Sequence, residues 1–149
     1  MTLTKKWQNR FFALAATVAT WSKDKKVGVG CVVVDKNRKV LSLGYNGFPA
    51  GVNDCKAAQT HRYDKPLKLL YTEHAERNAI FTAGRNGVSL EGGLLFSTLY
   101  PCADCARAII QVGIKEVYTT PPHSESWAES HQAARQMFDE AGITIKMIL

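Results

Sequence analysis

The sequence predicts one α/β domain over residues 1–149, with helices on both faces of a mixed five-stranded sheet in a three-layer α/β/α arrangement. Three observations predict it. An amphipathic helical pattern comes first, two β-strands joined by a short polar turn follow it, and the second half of the chain alternates helices with strands. A chain of 149 residues is long enough to bury a substantial core.

The first half of the chain is predicted to form a helix and a hairpin. Apolar side chains at alternating steps of four and three residues mark one helical face: Trp7, Phe11, Leu14, Val18 and Trp21. The helix is expected to end at residues 22–24. The runs VGVGCVVVD and VLSLGY, separated by KNRK, are expected to pair as antiparallel strands. GYNGFPAG, residues 44–51, then forms a loop in which the backbone can approach another group closely. Residues 52–72 are expected to be irregular.

The second half alternates helices with strands. HAERNAIFTAGR forms a helix that stops at Asn86 and Gly87, and residues 103–112 form another. A last helix ends at Gly142 and has an apolar face of Ala133, Ala134, Met137, Phe138 and Ala141. Strands are expected over residues 93–98, 114–119 and 143–148. A strand, a helix and a second strand in this order predict a right-handed parallel crossover.

Two short motifs supply one imidazole and two thiols. HAERNAI contains His74 and Glu76, and TLYPCADC contains Cys102 and Cys105. Pro101 suits the start of a helix, which places the two cysteines on one face of its first turn, where the helix N-terminus favours thiolates. Three protein ligands leave a fourth position on tetrahedral zinc for water, as catalytic zinc sites do. We therefore predict Zn²⁺ on the histidine and both cysteines, with Glu76 as the proton carrier.

Neither motif is specific when it occurs alone. A CxxC pair also occurs in redox sites and structural zinc sites, and HxE is common by chance. Together, HxE followed by PCxxC is the signature of zinc-dependent nucleobase deaminases. The chemistry is attack by zinc-activated water on an amidine-like carbon, with a carboxylate moving protons until ammonia leaves.

Composition narrows the partners and the location. The net charge of +6 fits nucleic acid or an anionic small substrate, but no arginine-rich arm or aromatic platform is present, so polymeric nucleic acid is not expected. Neither a signal peptide nor a membrane-spanning segment is expected. Four cysteines, two of them in the zinc motif, favour a reducing compartment, and a cytoplasmic location is predicted.

A larger set of segments carries a resemblance to a known family. SKD, the VG before the first strand, GYNGFPAG, HAERNAI, LYPCADCARAIIQVGIKEVY and MFDEAGI resemble the deoxycytidylate (dCMP) deaminases, in the cytidine deaminase-like superfamily. The resemblance implies the cytidine deaminase-like fold, with zinc on His74, Cys102 and Cys105. It also implies Glu76 as proton shuttle, Asn46 toward the deoxyribose, and the backbone at Ala75 toward the pyrimidine edge.

The surroundings of the substrate are less defined by the resemblance. Tyr45 is a candidate contact, with a simple turn residue as the alternative. Many family members have a Tyr near the phosphate after the fourth strand, where this chain has PPHSESWAESH. Trp127 or His123 is expected to line the pocket instead, although Trp127 also fits packing under the last helix. Lys23 or Lys26 is expected to meet the phosphate, with a solvated surface charge as the alternative.

The function expected from the resemblance is conversion of dCMP to dUMP and ammonia, which supplies thymidylate synthesis. Alternatives are deamination of cytidine, cytosine, a purine nucleotide or a tRNA adenosine, or a zinc protein without activity. The resemblance also implies a homo-oligomer and dCTP and dTTP as effectors bound near residues 44–54. Cys55 and His61 are weak candidates for a second metal site.

Overall fold

The computed structural model describes residues 2–54 and 60–148. Its helices are α1 Lys5–Ala19, α2 Lys68–Tyr71, α3 Ala75–Arg85, α4 Ala103–Gln111 and α5 Ala128–Glu140. Its strands are β1 Gly30–Val34, β2 Val40–Tyr45, β3 Leu94–Ser97, β4 Glu116–Thr119 and β5 Thr144–Met147. Short 3₁₀ helices cover Thr60–Tyr63 and Glu125–Trp127. Across these ranges, no helix combines the length and the apolar character that crossing a bilayer requires.

The five strands form one mixed sheet in the order β2-β1-β3-β4-β5. Strand β1 is antiparallel to both β2 and β3, whereas β3, β4 and β5 run parallel. The predicted mixed sheet and its antiparallel hairpin are therefore confirmed. Every residue of β1, sequence GCVVV, is buried, because this strand has neighbours on both edges and helices over both faces.

Successive side chains of a strand point to opposite faces, and both faces of this sheet are covered. Val32 and Val34 of β1 pack in a cluster with Phe11 and Val18 of α1. Cys31 and its neighbours on the other face pack with side chains of α3, α4 and α5: Ala79, Ile80, Ala106, Ile109 and Phe138. The predicted three-layer α/β/α arrangement is confirmed.

Some predicted boundaries were wrong. Helix α1 ends at Ala19, and Trp21 beyond it is 51% exposed, so it does not belong to the buried stripe. The helix stops early because Ser22 and Asp24 bind a loop instead: the Ser22 hydroxyl donates to the Asn46 carbonyl, and the Asp24 carboxylate accepts from two backbone N–H groups. Side-chain hydrogen bonds to loop backbone of this kind compete with continuation of the helix.

Two further segments differ from the sequence prediction. Residues 52–72 are not wholly irregular, because they contain the 3₁₀ helix Thr60–Tyr63 and helix α2. On α5, Ala133 and Ala141 are exposed, and the buried positions are His131, Ala134 and Phe138. The apolar pattern did not include the first buried position of this helix, because that position holds the polar residue His131.

Helix α3 lies very close to strand β2. A Cβ atom at Gly44 would overlap the Ala75 carbonyl oxygen and the Ala79 nitrogen, so only glycine permits this approach. Beside it, the buried Ser42 hydroxyl donates to the Ala79 carbonyl over 2.7 Å. The close approach at Gly44 sets the position of the first turn of α3, and the candidate site lies at that turn.

Candidate active site

The N-termini of α3 and α4 meet at one place. His74 is the residue before α3 and Cys102 the residue before α4, and both have the extended backbone of an N-cap. The Cys102 sulfur accepts the Cys105 N–H, and the Ser130 hydroxyl of α5 accepts the Ala103 N–H. Helix N-termini carry unpaired N–H groups and partial positive charge, so this place favours anions.

Helix α4 begins at Ala103, the residue predicted from the sequence, and Cys102 is its N-cap. Pro101 precedes the N-cap and is not in the first turn, because Cys102 is extended, with φ −75° and ψ 172°. Cys105 is three residues further on, so the two sulfurs still face each other at the start of the helix. The relation predicted between the cysteines is therefore unaffected.

The three predicted metal ligands lie together. The ligand atoms of His74, Cys102 and Cys105 are all within 4.8 Å of one another. His74 Nδ1 lies 3.4 Å from Cys102 Sγ and 3.5 Å from Cys105 Sγ. One imidazole nitrogen and two sulfurs are donors that zinc accepts, and three protein ligands leave a position for a further ligand. The donor set and its geometry fit zinc, as the sequence predicted.

Hydrogen bonds within the cluster shift the pKa values of its three side chains. Hydrogen bonds from Cys105 and from His74 lower the pKa of Cys102 to about 4, against the opposing effect of burial. The same hydrogen bond raises the pKa of Cys105, and burial raises it further. The bond to Cys102 raises the pKa of His74. Metal binding displaces protons from thiol and imidazole ligands, so the lowered pKa of Cys102 favours a bound cation.

Glu76 lies beside the cluster without belonging to it. Its side chain is buried, with only 4% of the residue exposed. Oε1 accepts a 2.8 Å hydrogen bond from the Ser97 hydroxyl, and Oε2 lies 3.5 Å from Cys105 Sγ. The carboxylate therefore reaches the metal site from the side, which is the position that a proton carrier needs.

An arginine joins the two helix starts. The guanidinium of Arg77, in the first turn of α3, lies 2.5 Å from the Glu73 carboxylate and 3.5 Å from that of Asp104 in α4. All three side chains are at least partly exposed, so the pairs contribute little to stability. Their geometric effect is to tie the segment that carries His74 to the segment that carries Cys102.

A cavity of about 280 Å³ is lined by Glu76 and by two of the three ligands, His74 and Cys102. Three of the five predicted substrate contacts line it: Asn46, Ala75 and Trp127. The alternatives Lys26 and His123 line it too. Tyr45 and Lys23 are not among the described residues of its wall.

Each of these predicted contacts has a defined environment. The Asn46 amide is buried, accepting from Val29 N–H over 2.8 Å and donating to the Val27 carbonyl over 2.9 Å, so it also holds the cavity wall together. Tyr45 is exposed, with its ring against Trp21. Lys23 is exposed and its ammonium lies 2.7 Å from Asp54.

One wall of the cavity is cationic. Lys26, Lys65 and Lys68 all line it. Lys68 forms an ion pair with the buried Asp24, which fixes α2 against the loop before β1. The sequence prediction missed Lys65 and Lys68, because they lie in the segment expected to be irregular. Their spacing of three residues beside the LKLLY run was the available signal.

Aromatic rings also line the cavity, grouped around His131. His131 lies 5.2 Å from Tyr100, 5.7 Å from His123 and 6.4 Å from Trp127, measured between ring centroids. The Trp127 ring stands edge-on to His74 at 6.1 Å. Burial lowers the pKa of His131, and His123 lowers it further, so the neutral imidazole is favoured. His131 Nδ1 is buried and has no hydrogen-bond partner within the described residues. The sequence prediction missed this residue.

The suggested second metal site falls partly outside the described residues. His61 is exposed in the 3₁₀ helix Thr60–Tyr63, whereas Cys55 lies in the range that the structure does not describe. Among the described cysteines, Cys31, Cys102 and Cys105 are free thiols.

The chain is similar to known zinc-binding deaminases. The family model for the cytidine and deoxycytidylate deaminase zinc-binding region matches residues 5–120 of this chain. An uncharacterized deaminase in the luxG 3′ region of Aliivibrio fischeri is 42% identical over 144 residues, covering 94% of this chain and 92% of that protein. Human deoxycytidylate deaminase is 35% identical over 147 residues, covering 96% of this chain and 80% of that protein.

A solved structure is similar over the full length. The dCMP deaminase of cyanophage S-TIM5, in complex with dCMP and dUMP, has a TM-score of 0.79 and 26% sequence identity. The match covers 99% of this chain and 100% of that chain. The mixed five-stranded sheet with its helices is therefore the architecture of a known dCMP deaminase structure.

Proposed function

This chain belongs to the cytidine and deoxycytidylate deaminase family, and from that premise we propose that it is a zinc-dependent hydrolase that converts dCMP to dUMP. Water and dCMP are consumed, and dUMP and ammonia are released. The observation that carries the proposal is the buried Glu76 carboxylate next to three zinc ligands, at one end of a cavity whose wall is lined with lysines.

The residues divide the reaction between them. When bound by His74, Cys102 and Cys105, zinc supplies Lewis-acid activation of water. Glu76 takes one proton from the attacking water and delivers it to the ring nitrogen beside the reacting carbon. It then takes the second proton from the same oxygen and gives it to the exocyclic amine, which leaves as ammonia as the carbon–nitrogen bond breaks and the carbonyl forms. Burial of the carboxylate keeps bulk water away from these transfers.

The remaining contacts select the nucleotide. We assign the Ala75 backbone to the pyrimidine edge and Asn46 to the deoxyribose, since both line the cavity next to Glu76. Trp127 offers an aromatic face beside the base. Lys26 and Lys65 supply positive charge for the 5′-phosphate. Tyr45 and Lys23, whose side chains are exposed, have no such support.

The substrate assignment is tested by ammonia release from zinc-loaded protein. The panel is dCMP, CMP, dCTP, deoxycytidine, dAMP and dGMP, with each kcat/KM measured separately. We expect dCMP to have the highest value, at least about 100-fold above deoxycytidine, because a phosphate bound by two ammonium groups contributes several kcal/mol. A higher value for a purine nucleotide, or equal values for dCMP and deoxycytidine, would contradict the assignment.

Replacing both Lys26 and Lys65 by alanine should weaken recognition of the phosphate alone. We expect kcat/KM for dCMP to fall about 100-fold and that for deoxycytidine to change less than about twofold, because only the former has the charge that the lysines bind. The matched control is Lys36→Ala with Lys39→Ala, which removes the same charge at the turn between β1 and β2. A parallel loss in the control would mean that net charge, and not these two lysines, attracts the nucleotide.

The proposal also covers domain organisation, assembly, regulation and cellular location. We propose that residues 1–149 act as one domain, that copies associate into a homo-oligomer, and that dCTP and dTTP regulate it. Exposed apolar side chains such as Leu70 and Phe81 offer surface for association. The three free thiols among the described residues support a reducing, cytoplasmic location.

A further inference from the structure

Strand β3 ends in a buried polar residue that the reaction scheme above does not use. Its sequence is LLFS, and Ser97 is fully buried at the point where β3 pairs with Cys31 of β1. A hydroxyl in such a place costs free energy unless it is hydrogen-bonded. The Ser97 hydroxyl donates to Glu76 Oε1 over 2.8 Å, so its one proton is committed to the carboxylate.

This bond makes the two carboxylate oxygens of Glu76 unequal. Oε1 is held by a donor on a central strand of the sheet. Oε2 faces Cys105 Sγ, 3.5 Å away, at the metal end of the cavity. Among the described residues, Oε2 accepts only from the Cys105 thiol, a weak sulfur donor, so it is the less firmly held of the two oxygens.

We infer that Ser97 is a positioning residue that holds Glu76 by Oε1 and thereby makes Oε2 the oxygen that carries protons to and from the substrate. The inference rests on the proposed deamination and adds to it the orientation of the carrier. Glutamate has three rotatable side-chain bonds, and the helical backbone of α3 restricts only the first of them. A second anchor on β3 selects one orientation before the substrate arrives.

The size of the effect follows from the geometry. Displacing a catalytic group by about 1 Å can cost about 100-fold in rate. Without the Ser97 hydroxyl, the carboxylate keeps its charge but loses the anchoring donor that the sheet supplies. Zinc binding should not depend on this bond, because Ser97 contacts none of the three ligands through a side-chain hydrogen bond within the described residues.

The test is Ser97→Ala, assayed with the substrate that has the highest kcat/KM in the panel. We expect kcat to fall about 10- to 100-fold with KM changed less than about threefold, while zinc stays at one ion per chain. Ser97→Thr restores the donor and should recover most of the lost kcat. Equal kcat values for Ser97→Ala and the unmodified protein would overturn the inference.

A matched control separates positioning from stability. Ser42 is also buried, also lies on the sheet and also donates to α3, but it donates to the Ala79 carbonyl and not to Glu76. Ser42→Ala should lower the melting temperature as Ser97→Ala does, and keep kcat within about twofold. An equal loss of kcat in Ser42→Ala would mean that loosening α3 suffices, and the specific role of Ser97 would be rejected.

A crystal structure of Ser97→Ala gives a readout that does not require turnover. We expect Glu76 to occupy more than one rotamer in the variant and a single one in the unmodified protein. If no compound of the panel is deaminated, the proposed function fails, while the rotamer comparison still decides whether Ser97 holds Glu76. A single unchanged rotamer in the variant would overturn the inference whatever the substrate is.

Discussion

Glu76→Gln is expected to lower kcat about 10⁴-fold, at the upper end of what a positioned acid–base group contributes, because one carboxylate serves several proton transfers. Glutamine has nearly the same shape and still accepts from the Ser97 hydroxyl at its amide oxygen. The glutamine amide cannot take up and release a proton near neutral pH. The measurement is single-turnover deamination of dCMP at saturating protein.

Two further measurements make this result specific. Zinc content and melting temperature of Glu76→Gln should match those of the unmodified protein, because the ligand group is His74, Cys102 and Cys105. Binding of dUMP should be retained, because the cavity keeps its size. If Glu76→Gln turns over within about tenfold of the unmodified protein, another group carries the protons and the mechanism must be reassigned.

Cys102→Ser is expected to abolish zinc binding and, with it, activity. A serine hydroxyl is a poor ligand for zinc compared with a thiolate, whereas serine is among the best N-cap residues. The substitution therefore separates two roles of Cys102, which is both the N-cap of α4 and a member of the ligand group. We expect less than about a tenth of a zinc ion per chain by elemental analysis, with the helix content unchanged.

Chelation provides the complementary measurement. A ligand at 100 times its Kd stabilises a protein by about 2.7 kcal/mol, so a chelator should lower the melting temperature of the unmodified protein. The Cys102→Ser variant should melt at the chelated value and not respond to chelator. Cys31→Ala is the control: it removes another buried thiol and should keep its zinc, since Cys31 lies outside the ligand group. Full zinc content in Cys102→Ser would refute the assignment.

The zinc site could be predicted because its information is local. Two motifs of eight residues or fewer contain all three ligands and Glu76, and each lies at a helix start that the sequence also marks. The sheet could also be predicted from local patterns. A short turn joins β1 to β2, and helices alternate with strands in the second half of the chain. Local signals of this kind survive folding because no distant contact competes with them.

The cavity walls could not be predicted in the same way. Lys65 and Lys68 come from a segment without periodicity, and Lys68 is held by an ion pair with Asp24, more than forty positions earlier in the chain. The Ser97 hydroxyl can bond to Glu76 only because folding brings the end of β3 next to the first turn of α3. Early termination of α1 also depended on distant bonds, from Ser22 to the loop at Asn46.

The tight approach of α3 to β2 at Gly44 constrains how this protein can vary. Any side chain there must push the helix away from the strand, and His74 and Glu76 move with the helix. Cys102 and Cys105 stay behind on α4, so the displacement changes distances inside the ligand group. Tolerance to substitution is therefore low at a position that contacts neither metal nor nucleotide, and an inherited change at Gly44 acts as an active-site mutation delivered through the backbone.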